Sequence, residues 1–216
     1  GNRMLGGYAR EANLLVLEGA SPQQVDKALF DFGMPMGVLA MGDLAGLDIG
    51  YRLRQQLDES QYDVRATYVS DKLVEMNRLG QKTGAGIYDY EAGNRTPIPS
   101  DVTAKLIEEA AQHFAIERRE IADEEIITRC FAALVNIGCD ILDEGMAYRA
   151  SDIDITYING YGFPAYRGGP MYWAEHDLGL DRLLGHIKDF AAKHGDRWWK
   201  PSPLLERLVK EGKGFR

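Results

Sequence analysis

The sequence predicts an all-α protein built from two tandem copies of one helical unit. Apolar residues recur at helical spacing along most of the chain, and glycine or proline interrupts them at intervals typical of helix ends. An ordered set of short motifs also occurs twice. Few stretches alternate apolar and polar residues over the length of a strand, so a sheet is not expected.

The first two helices carry clear start and stop signals. The first helix shows an apolar stripe at spacings of three and four residues, formed by Leu5, Tyr8, Ala12 and Leu15. Gly19 is placed to end it as a left-handed terminator. Ser21 can then cap a second helix, with Pro22 at its first position, and this helix is expected to end near Gly33.

The remaining elements follow from the same signals. In the first half we expect a loop at 33–37, helices at 43–57 and 64–79, a turn with a short extended piece at 81–90, and a linker at 93–100. In the second half we expect a helix capped by Asp101 and ending near Ala115, then a long helix that Asp123 precedes and Gly145 ends, and a helix capped by Ser151. A loop that opens at 160–164 and closes at 168–170 should follow, and then helices at about 179–194 and 203–211.

The internal repeat keeps its order with small gaps. Arg3 and Glu18-Gly19 match Arg129 and Glu144-Gly145, Val25-Asp26 matches Ile153-Asp154, Gly33-Met34-Pro35 matches Gly162-Phe163-Pro164, and Gly46-Leu47-Asp48 matches Gly179-Leu180-Asp181. Duplication explains five ordered matches better than chance. Two copies can bury each other's apolar helix faces as the subunits of a two-fold dimer do. We therefore expect one copy at residues 1–92, a linker at 93–100, and a diverged copy at 101–216.

Composition excludes several classes of partner. The formal net charge of -8 argues against nucleic acid, whose phosphates require a basic surface. No apolar run reaches the roughly 20 residues needed to cross a bilayer, and no signal peptide or peroxisomal C-terminal signal is present, so a cytoplasmic protein is expected.

Cys130 and Cys139 project from opposite faces of one predicted helix, which favours two reduced core thiols over a disulfide or a metal site.

Motifs that carry chemistry are few. Gly84-x-Gly86 lacks the third glycine and the preceding strand of a dinucleotide-binding fingerprint. The four histidines are scattered, and no pair has the spacing of metal ligands on a helix. Asp152 and Asp154 could form an acid–base pair, although helix capping explains them more simply. From the residues alone, the prediction stops at a helical scaffold.

Several motifs together resemble the C-terminal domain of 3-hydroxyacyl-CoA dehydrogenases, over nearly the whole chain. In the first copy they are Gly1-Asn2-Arg3-Met4-Leu5, Phe32-Gly33-Met34-Pro35-Met36-Gly37, Asp43-Leu44-Ala45-Gly46-Leu47-Asp48 and Lys82-Thr83-Gly84-Ala85-Gly86-Ile87-Tyr88-Asp89-Tyr90. In the second copy they are Gly160-Tyr161-Gly162-Phe163-Pro164, Arg167-Gly168-Gly169-Pro170-Met171 and Trp199-Lys200-Pro201-Ser202-Pro203, which resemble the last domain of multifunctional β-oxidation enzymes.

The resemblance implies a helical fold of the 6-phosphogluconate dehydrogenase C-terminal type and a parent enzyme that oxidises L-3-hydroxyacyl-CoA in fatty-acid β-oxidation. It implies that NAD and a catalytic His–Glu pair belong to a Rossmann domain preceding this region, so that this chain is an inactive fragment. Asn2 aligns with the family's active-site asparagine, and its amide can hydrogen-bond the reacting oxygen. The competing interpretation is that Asn2 caps the first helix.

Met34, Pro35, Met36 and Gly37 are then expected to line the acyl-chain side of the cleft, with core filling as the alternative. Val38 and Ile137 depart from the family pattern, and the second copy is expected to be structural. The implied partners are an acyl-CoA substrate, the Rossmann domain and a second copy of the chain in a homodimer. Two other functions stay open, namely a short-chain hydroxybutyryl-CoA dehydrogenase or related 2-hydroxyacid-type reductase, and a non-catalytic helical dimerisation module.

Overall fold

The computed structural model describes residues 1–215, which are mainly helical, so the all-α prediction is confirmed. Within these residues, β-structure is limited to isolated bridges between positions 80 and 98. The α-helices are α1 (Asn2–Glu18), α2 (Pro22–Phe32), α3 (Val38–Ala45), α4 (Leu47–Arg54), α5 (Val64–Glu75), α6 (Asp101–His113), α7 (Asp123–Asp143), α8 (Ala150–Tyr161), α9 (Pro170–Trp173), α10 (Leu180–His194), α11 (Asp196–Trp199) and α12 (Pro203–Glu211). Three short 3₁₀ helices (Glu59–Gln61, Gln81–Thr83, Ala165–Arg167) and a π-helix (Ala174–Leu178) complete the described elements.

The contacts divide the chain into two compact units, each built from separate segments. The first unit contains Gly1–Tyr8, Gly33–Pro35 and residues 127–215. The second contains Ala9–Phe32 and Met36–Ile126. The start of α1 and the residues after α2 therefore share the first unit with α8 to α12, and this is the unit that holds the candidate site.

Aromatic rings fill the centre of the first unit. The ring of Phe131, on α7, lies 5.4 Å from Tyr8, 5.7 Å from Phe163 and 5.5 Å from Trp173, centroid to centroid. All four side chains are buried. Gly138 lets α7 approach its neighbours, because a Cβ there would lie 2.7 Å from the Met171 sulfur. The first turns of α1 are thus fixed against α7 by packing that buries large apolar surfaces.

Aliphatic side chains form the core of the second unit. Leu15, Val25, Leu29 and Leu73 are each fully buried. Helix α5 packs between α4 and α6, and α2 packs on α3. Gln24 in α2 donates from Nε2 to the backbone carbonyl of Ile121 at 2.7 Å, which ties the segment before α7 to this unit.

Some expected helix boundaries are wrong, each for a local reason. The helix expected at 43–57 is two helices, because Gly46 adopts φ 101° and interrupts the chain between α3 and α4. Helix α5 ends at Glu75 rather than near residue 79, and the left-handed Asn77 (φ 60°) follows. Asp101 and Ser151 lie inside α6 and α8; Ser100 and Arg149 hold the cap positions instead.

The short elements after Pro170 were not expected. Helix α9, the π-helix and α11 are four or five residues long, too short to show a helical apolar period. No helix among residues 1–215 combines the length and apolarity that a membrane span needs.

Candidate functional site

Asn2 and Tyr161 meet at the first turn of α1 in the first unit. Tyr161, the last residue of α8, donates its phenolic hydrogen to Asn2 Oδ1 at 2.6 Å. One turn earlier, Tyr157 donates to the carbonyl of Gly1 at 3.0 Å. The two tyrosine rings stack with centroids 4.6 Å apart and an interplanar angle of 19°. The end of α8 therefore holds the beginning of α1 through two hydroxyl groups.

The Asn2 side chain does not cap its own helix. The carbonyl of Gly1 accepts the N–H of Leu5 at 3.0 Å, so Gly1 precedes the first turn and Asn2 is already helical. Asn2 is exposed, and no residue of the described chain accepts a hydrogen bond from its Nδ2. With Oδ1 engaged, the amide presents two N–H donors to a ligand. This geometry suits hydrogen bonding to an oxygen that gains negative charge.

The loop at 33–37 divides its four candidate residues between two tasks. Met34 is buried and Met36 is 36% exposed. Pro35 is exposed and packs on Gly162, where an added Cβ would lie 2.5 Å from Pro35 Cγ. Because Gly162 directly follows Tyr161, Pro35 and Asn2 both meet the end of α8. Gly37 lies in the second unit, where a side chain would overlap the Asp26 carboxylate.

Asp26 stabilises the start of α3 in the second unit. Its two carboxylate oxygens accept the N–H groups of Leu39 and Ala40, each at 2.9 Å. It also accepts the hydroxyl hydrogen of Tyr88 at 2.7 Å. Burial raises the pKa of Asp26 above its ordinary value, although these three hydrogen bonds oppose the rise. Asp26 is therefore a structural carboxylate that fixes the loop containing Met36 and Gly37.

The Gly84-x-Gly86 loop does not fit a dinucleotide. Gly84 ends a three-residue 3₁₀ turn, and no helix begins after it within the following ten residues. The N–H groups of Ile87 and Tyr88, which would have to face a pyrophosphate, donate to Asp43 at 2.8 and 2.9 Å. Tyr90 donates to the same carboxylate at 2.9 Å, and burial raises the pKa of Asp43. A buried acid thus occupies the position that a phosphate would need.

Two of these carboxylate contacts have counterparts among residues 154–215. Asp154 accepts the N–H groups of Met171 at 2.7 Å and Tyr172 at 3.3 Å, as Asp26 does at the start of α3. Glu175 accepts the N–H of Phe215 at 2.8 Å, as Asp43 accepts that of Ile87. The sequence shows the second match as Gly212-x-Gly214-Phe215 beside Gly84-x-Gly86-Ile87. A short glycine pattern is a weak signal, so the sequence does not predict this sixth pair.

Asp152 and Asp154 do not form an acid–base pair. Asp152 accepts the backbone N–H of Arg149 at 3.1 Å and pairs with its guanidinium at 2.9 Å, on the surface of α8. Asp154 is 7% exposed and bonds backbone N–H groups at the start of α9. The capping interpretation therefore holds for both. Cys130 and Cys139 are buried and are not joined in a disulfide. Among residues 1–215, no group of three or more His, Cys, Asp or Glu side chains is arranged to hold a metal ion.

A cavity of about 670 Å³ adjoins Gly1 in the first unit. Its lining residues are Gly1, Arg3, Met4, Ile141, Met146, Ala147, Tyr148, Arg149, Asp152, Ile153, Thr156 and Tyr157. The charged residues at its edge are paired, because Arg3 binds Glu144 and Arg149 binds Asp152. The cavity therefore offers a mainly apolar surface next to Asn2.

The model of the family described as "3-hydroxyacyl-CoA dehydrogenase, C-terminal domain" matches residues 1–90 and residues 126–215. The chain belongs to this family.

Similar proteins agree with this assignment. A peroxisomal bifunctional enzyme of Danio rerio is 42% identical over 226 residues, covering 98% of this chain and 31% of the relative. A fatty acid oxidation complex subunit alpha of Shewanella sp. (strain MR-4) is 34% identical over 218 residues, covering 99% of this chain and 30% of the relative. The chain thus spans about a third of the length of these relatives.

Two crystal structures share the fold. The dehydrogenase part of multifunctional enzyme 1 from C. elegans superposes with a TM-score of 0.73 at 22% identity, covering 95% of this chain and 46% of that structure. A 3-hydroxybutyryl-CoA dehydrogenase from Escherichia coli K12 superposes with a TM-score of 0.71 at 23% identity, covering 98% of this chain and 60% of that structure.

Proposed function

We propose that this chain is the C-terminal region of an NAD-dependent L-3-hydroxyacyl-CoA dehydrogenase of fatty-acid β-oxidation, which forms 3-oxoacyl-CoA. The family match and the names of the relatives support the reaction class. The observation that carries the role of this region is the exposed Asn2 amide, whose Oδ1 accepts from Tyr161 and whose Nδ2 has no acceptor among residues 1–215. Asn2 donates to the oxygen on C3 of the hydroxyacyl group, and this contact strengthens as charge develops there.

NAD and the proton acceptor belong to a separate nucleotide-binding domain in this proposal. The Gly84–Gly86 loop cannot take the pyrophosphate because Asp43 occupies the adjacent N–H groups. An amide cannot act as a general base, so Asn2 requires a partner group that removes the proton. The relatives are about three times as long as this chain, which leaves room for such a domain beside it.

The acyl chain has two candidate surfaces. The first is the Met34–Gly37 loop, on which Pro35 and Met36 supply the exposed surface while Met34 and Gly37 hold the loop in place. The second is the cavity beside Gly1, which Met146 borders. Met36→Trp and Met146→Trp change two exposed methionines in the same way. We expect Met36→Trp to raise KM for long-chain substrates more than for short ones. If Met146→Trp has this effect and Met36→Trp does not, the acyl chain binds in the cavity instead.

Asn2→Ala tests the proposal directly. In the enzyme that combines this chain with its nucleotide-binding domain, we expect kcat for 3-hydroxyacyl-CoA oxidation to fall on the order of 10²–10³-fold with the Tm unchanged. Asn159→Ala is the matched control, because Asn159 is an exposed asparagine whose Nδ2, within residues 1–215, bonds only the Ile155 carbonyl of its own helix. An unchanged kcat in Asn2→Ala would exclude the catalytic role.

The two copies are proposed to be residues 1–92 and 101–216, joined by 93–100. The repeated carboxylate contacts of Asp26 and Asp154 support the duplication. The joining segment is itself anchored, since Ile98 pairs with Asp89 and Ser100 accepts a hydrogen bond from Arg78.

We also propose a cytoplasmic location and a homodimer. The bacterial relative suits the first, whereas the Danio rerio relative is named peroxisomal, so fluorescence localisation of the tagged protein decides between them. Light scattering tests the dimer. Substrate profiling separates a long-chain enzyme from a hydroxybutyryl-CoA dehydrogenase. A dimer without turnover would favour the non-catalytic dimerisation module.

A further inference from the structure

Two tyrosines of α8 donate hydrogen bonds to the Gly1–Asn2 dipeptide. They are four residues apart, so they project from the same face of the helix. Tyr157 is 1% exposed and holds the Gly1 carbonyl, while its ring supports that of Tyr161. Tyr161 is thereby a fixed donor rather than a mobile surface hydroxyl. An added Cβ at Gly1 would lie 2.5 Å from the Tyr161 ring, which shows how closely the two elements approach.

An amide side chain needs an external group to fix its orientation. Its oxygen and its NH₂ group are similar in size but opposite in hydrogen-bonding character. The terminal torsion of asparagine is broad and roughly two-fold, so Asn2 itself does not select which end faces a ligand. The Tyr161 hydroxyl, which donates to Oδ1 at 2.6 Å, favours one orientation, because reversal of the amide would take away this acceptor and leave the phenolic oxygen to accept from the NH₂ group.

We infer that Tyr161 is a positioning residue that orients the Asn2 amide so that Nδ2 faces the oxygen on C3 of the substrate. This inference rests on the proposed function of Asn2. Asn2 belongs to the first copy and Tyr161 to the second. In the proposed duplication, the second copy therefore contributes a residue to the site of the first. The sequence contains the signal only as the Tyr157–Tyr161 spacing, which core packing explains equally well.

The test is a double-mutant cycle in the enzyme that combines this chain with its nucleotide-binding domain. We expect Tyr161→Phe to lower kcat about tenfold, the effect of about 1.4 kcal/mol, while KM for the hydroxyacyl-CoA changes less than about twofold. In an Asn2→Ala background the same substitution should cause no further loss, because Tyr161 acts through Asn2. Tyr172→Phe is the control, since its hydroxyl makes no hydrogen bond within residues 1–215.

A second measurement does not depend on turnover. In Tyr161→Phe, the NMR order parameter of the Asn2 side-chain amide should fall, whereas it should stay constant in Tyr172→Phe. An unchanged kcat in Tyr161→Phe, or an equal loss in the Asn2→Ala background, would overturn the positioning role alone. If the wild-type enzyme does not oxidise hydroxyacyl-CoA, or if the Asn2→Ala variant keeps full activity, the proposed function is wrong and this inference is wrong with it.

Discussion

The carboxylate of Asp154 accepts a hydrogen bond from the backbone N–H of Met171 at 2.7 Å. The same oxygen also accepts the N–H of Tyr172 at 3.3 Å, so one side chain organises the start of α9. The site is crowded, because a side chain at Gly169 (φ 105°) would overlap this carboxylate. Burial raises the pKa of Asp154 from 3.8 to about 6, and the nearby Glu175 charge adds to the rise.

This raised pKa predicts a pH dependence of stability. Between about pH 4 and pH 6 the folded protein keeps a proton that the unfolded chain has already released. The protonated Asp154 side chain therefore makes its full contribution to the free energy of unfolding below about pH 4, and this contribution is lost as the pH rises through 6. Asn at position 154 does not titrate and can accept both N–H groups. The free energy of unfolding of Asp154→Asn relative to wild type should rise by up to about 3 kcal/mol over this window.

Urea unfolding between pH 4 and pH 7 measures this difference. Asp152→Asn removes one negative charge two residues earlier on the exposed side of α8 and is the matched control. A relative stability of Asp154→Asn that stays flat or falls with rising pH contradicts the prediction.

Gly86 and Gly185 predict opposite outcomes for the same substitution. At Gly86 a Cβ would overlap the Asp43 carboxylate and lie 2.7 Å from Gly80 Cα, so Gly86→Ala must displace a buried acid or backbone. We expect a loss of about 2–4 kcal/mol. Gly185 lies within α10 with no atom within 4 Å of an added Cβ, so Gly185→Ala should stabilise by about 0.5–1 kcal/mol. Differential scanning calorimetry of both variants checks the prediction, and equal Tm shifts would contradict it.

The sequence predicts the long helices because their apolar stripes extend over several turns. Helices α1 and α10 lie where periodicity and glycine stops place them. Apolar periodicity does not predict the break at Gly46 or the early end of α5, because both depend on a positive backbone φ at a single residue. Asn77 in particular carries no sequence mark that separates it from a helical asparagine.

The candidate site is less predictable for a physical reason. A motif match predicts Asn2 as a site residue. Its partner Tyr161 lies 159 positions away, and no local sequence pattern links the two. The two methionines of the Met34–Gly37 loop look equivalent in sequence, but folding buries Met34 and exposes Met36. Burial and pairing of this kind depend on tertiary contacts that a single sequence does not encode locally.

Arg78 should contribute more stability than a surface arginine. Its guanidinium donates to the Gly86 carbonyl at 3.0 Å, to Asp89 at 2.6 Å and to Ser100 Oγ at 2.8 Å, and its side chain is 16% exposed. Arg78→Met removes all of these donors and leaves the Gly86 carbonyl with only the 3.4 Å hydrogen bond from the Thr103 hydroxyl among residues 1–215, so we expect a loss of about 2–4 kcal/mol in the free energy of unfolding.

Arg52→Met is the comparison for Arg78→Met. Arg52 is 79% exposed and pairs with Asp48 at 3.3 Å, so its removal should change stability by less than about 1 kcal/mol. Chemical unfolding of the two variants gives the difference. A loss in Arg78→Met as small as that in Arg52→Met would show that the anchoring of residues 93–100 contributes little.

Asp43 predicts that this chain, without a nucleotide-binding domain, does not bind NAD. The N–H groups after Gly86 are committed to its carboxylate, and no helix N-terminus follows to attract a pyrophosphate. Isothermal titration of NAD into the chain should therefore show no binding up to about 1 mM, a bound corresponding to about 4 kcal/mol. The same titration with the nucleotide-binding domain present is the positive control. A micromolar Kd for the chain by itself would mean that it holds a nucleotide site elsewhere. Loss of that binding in Gly84→Ala would place the site at this loop and contradict the assignment of Asp43 as its occupant.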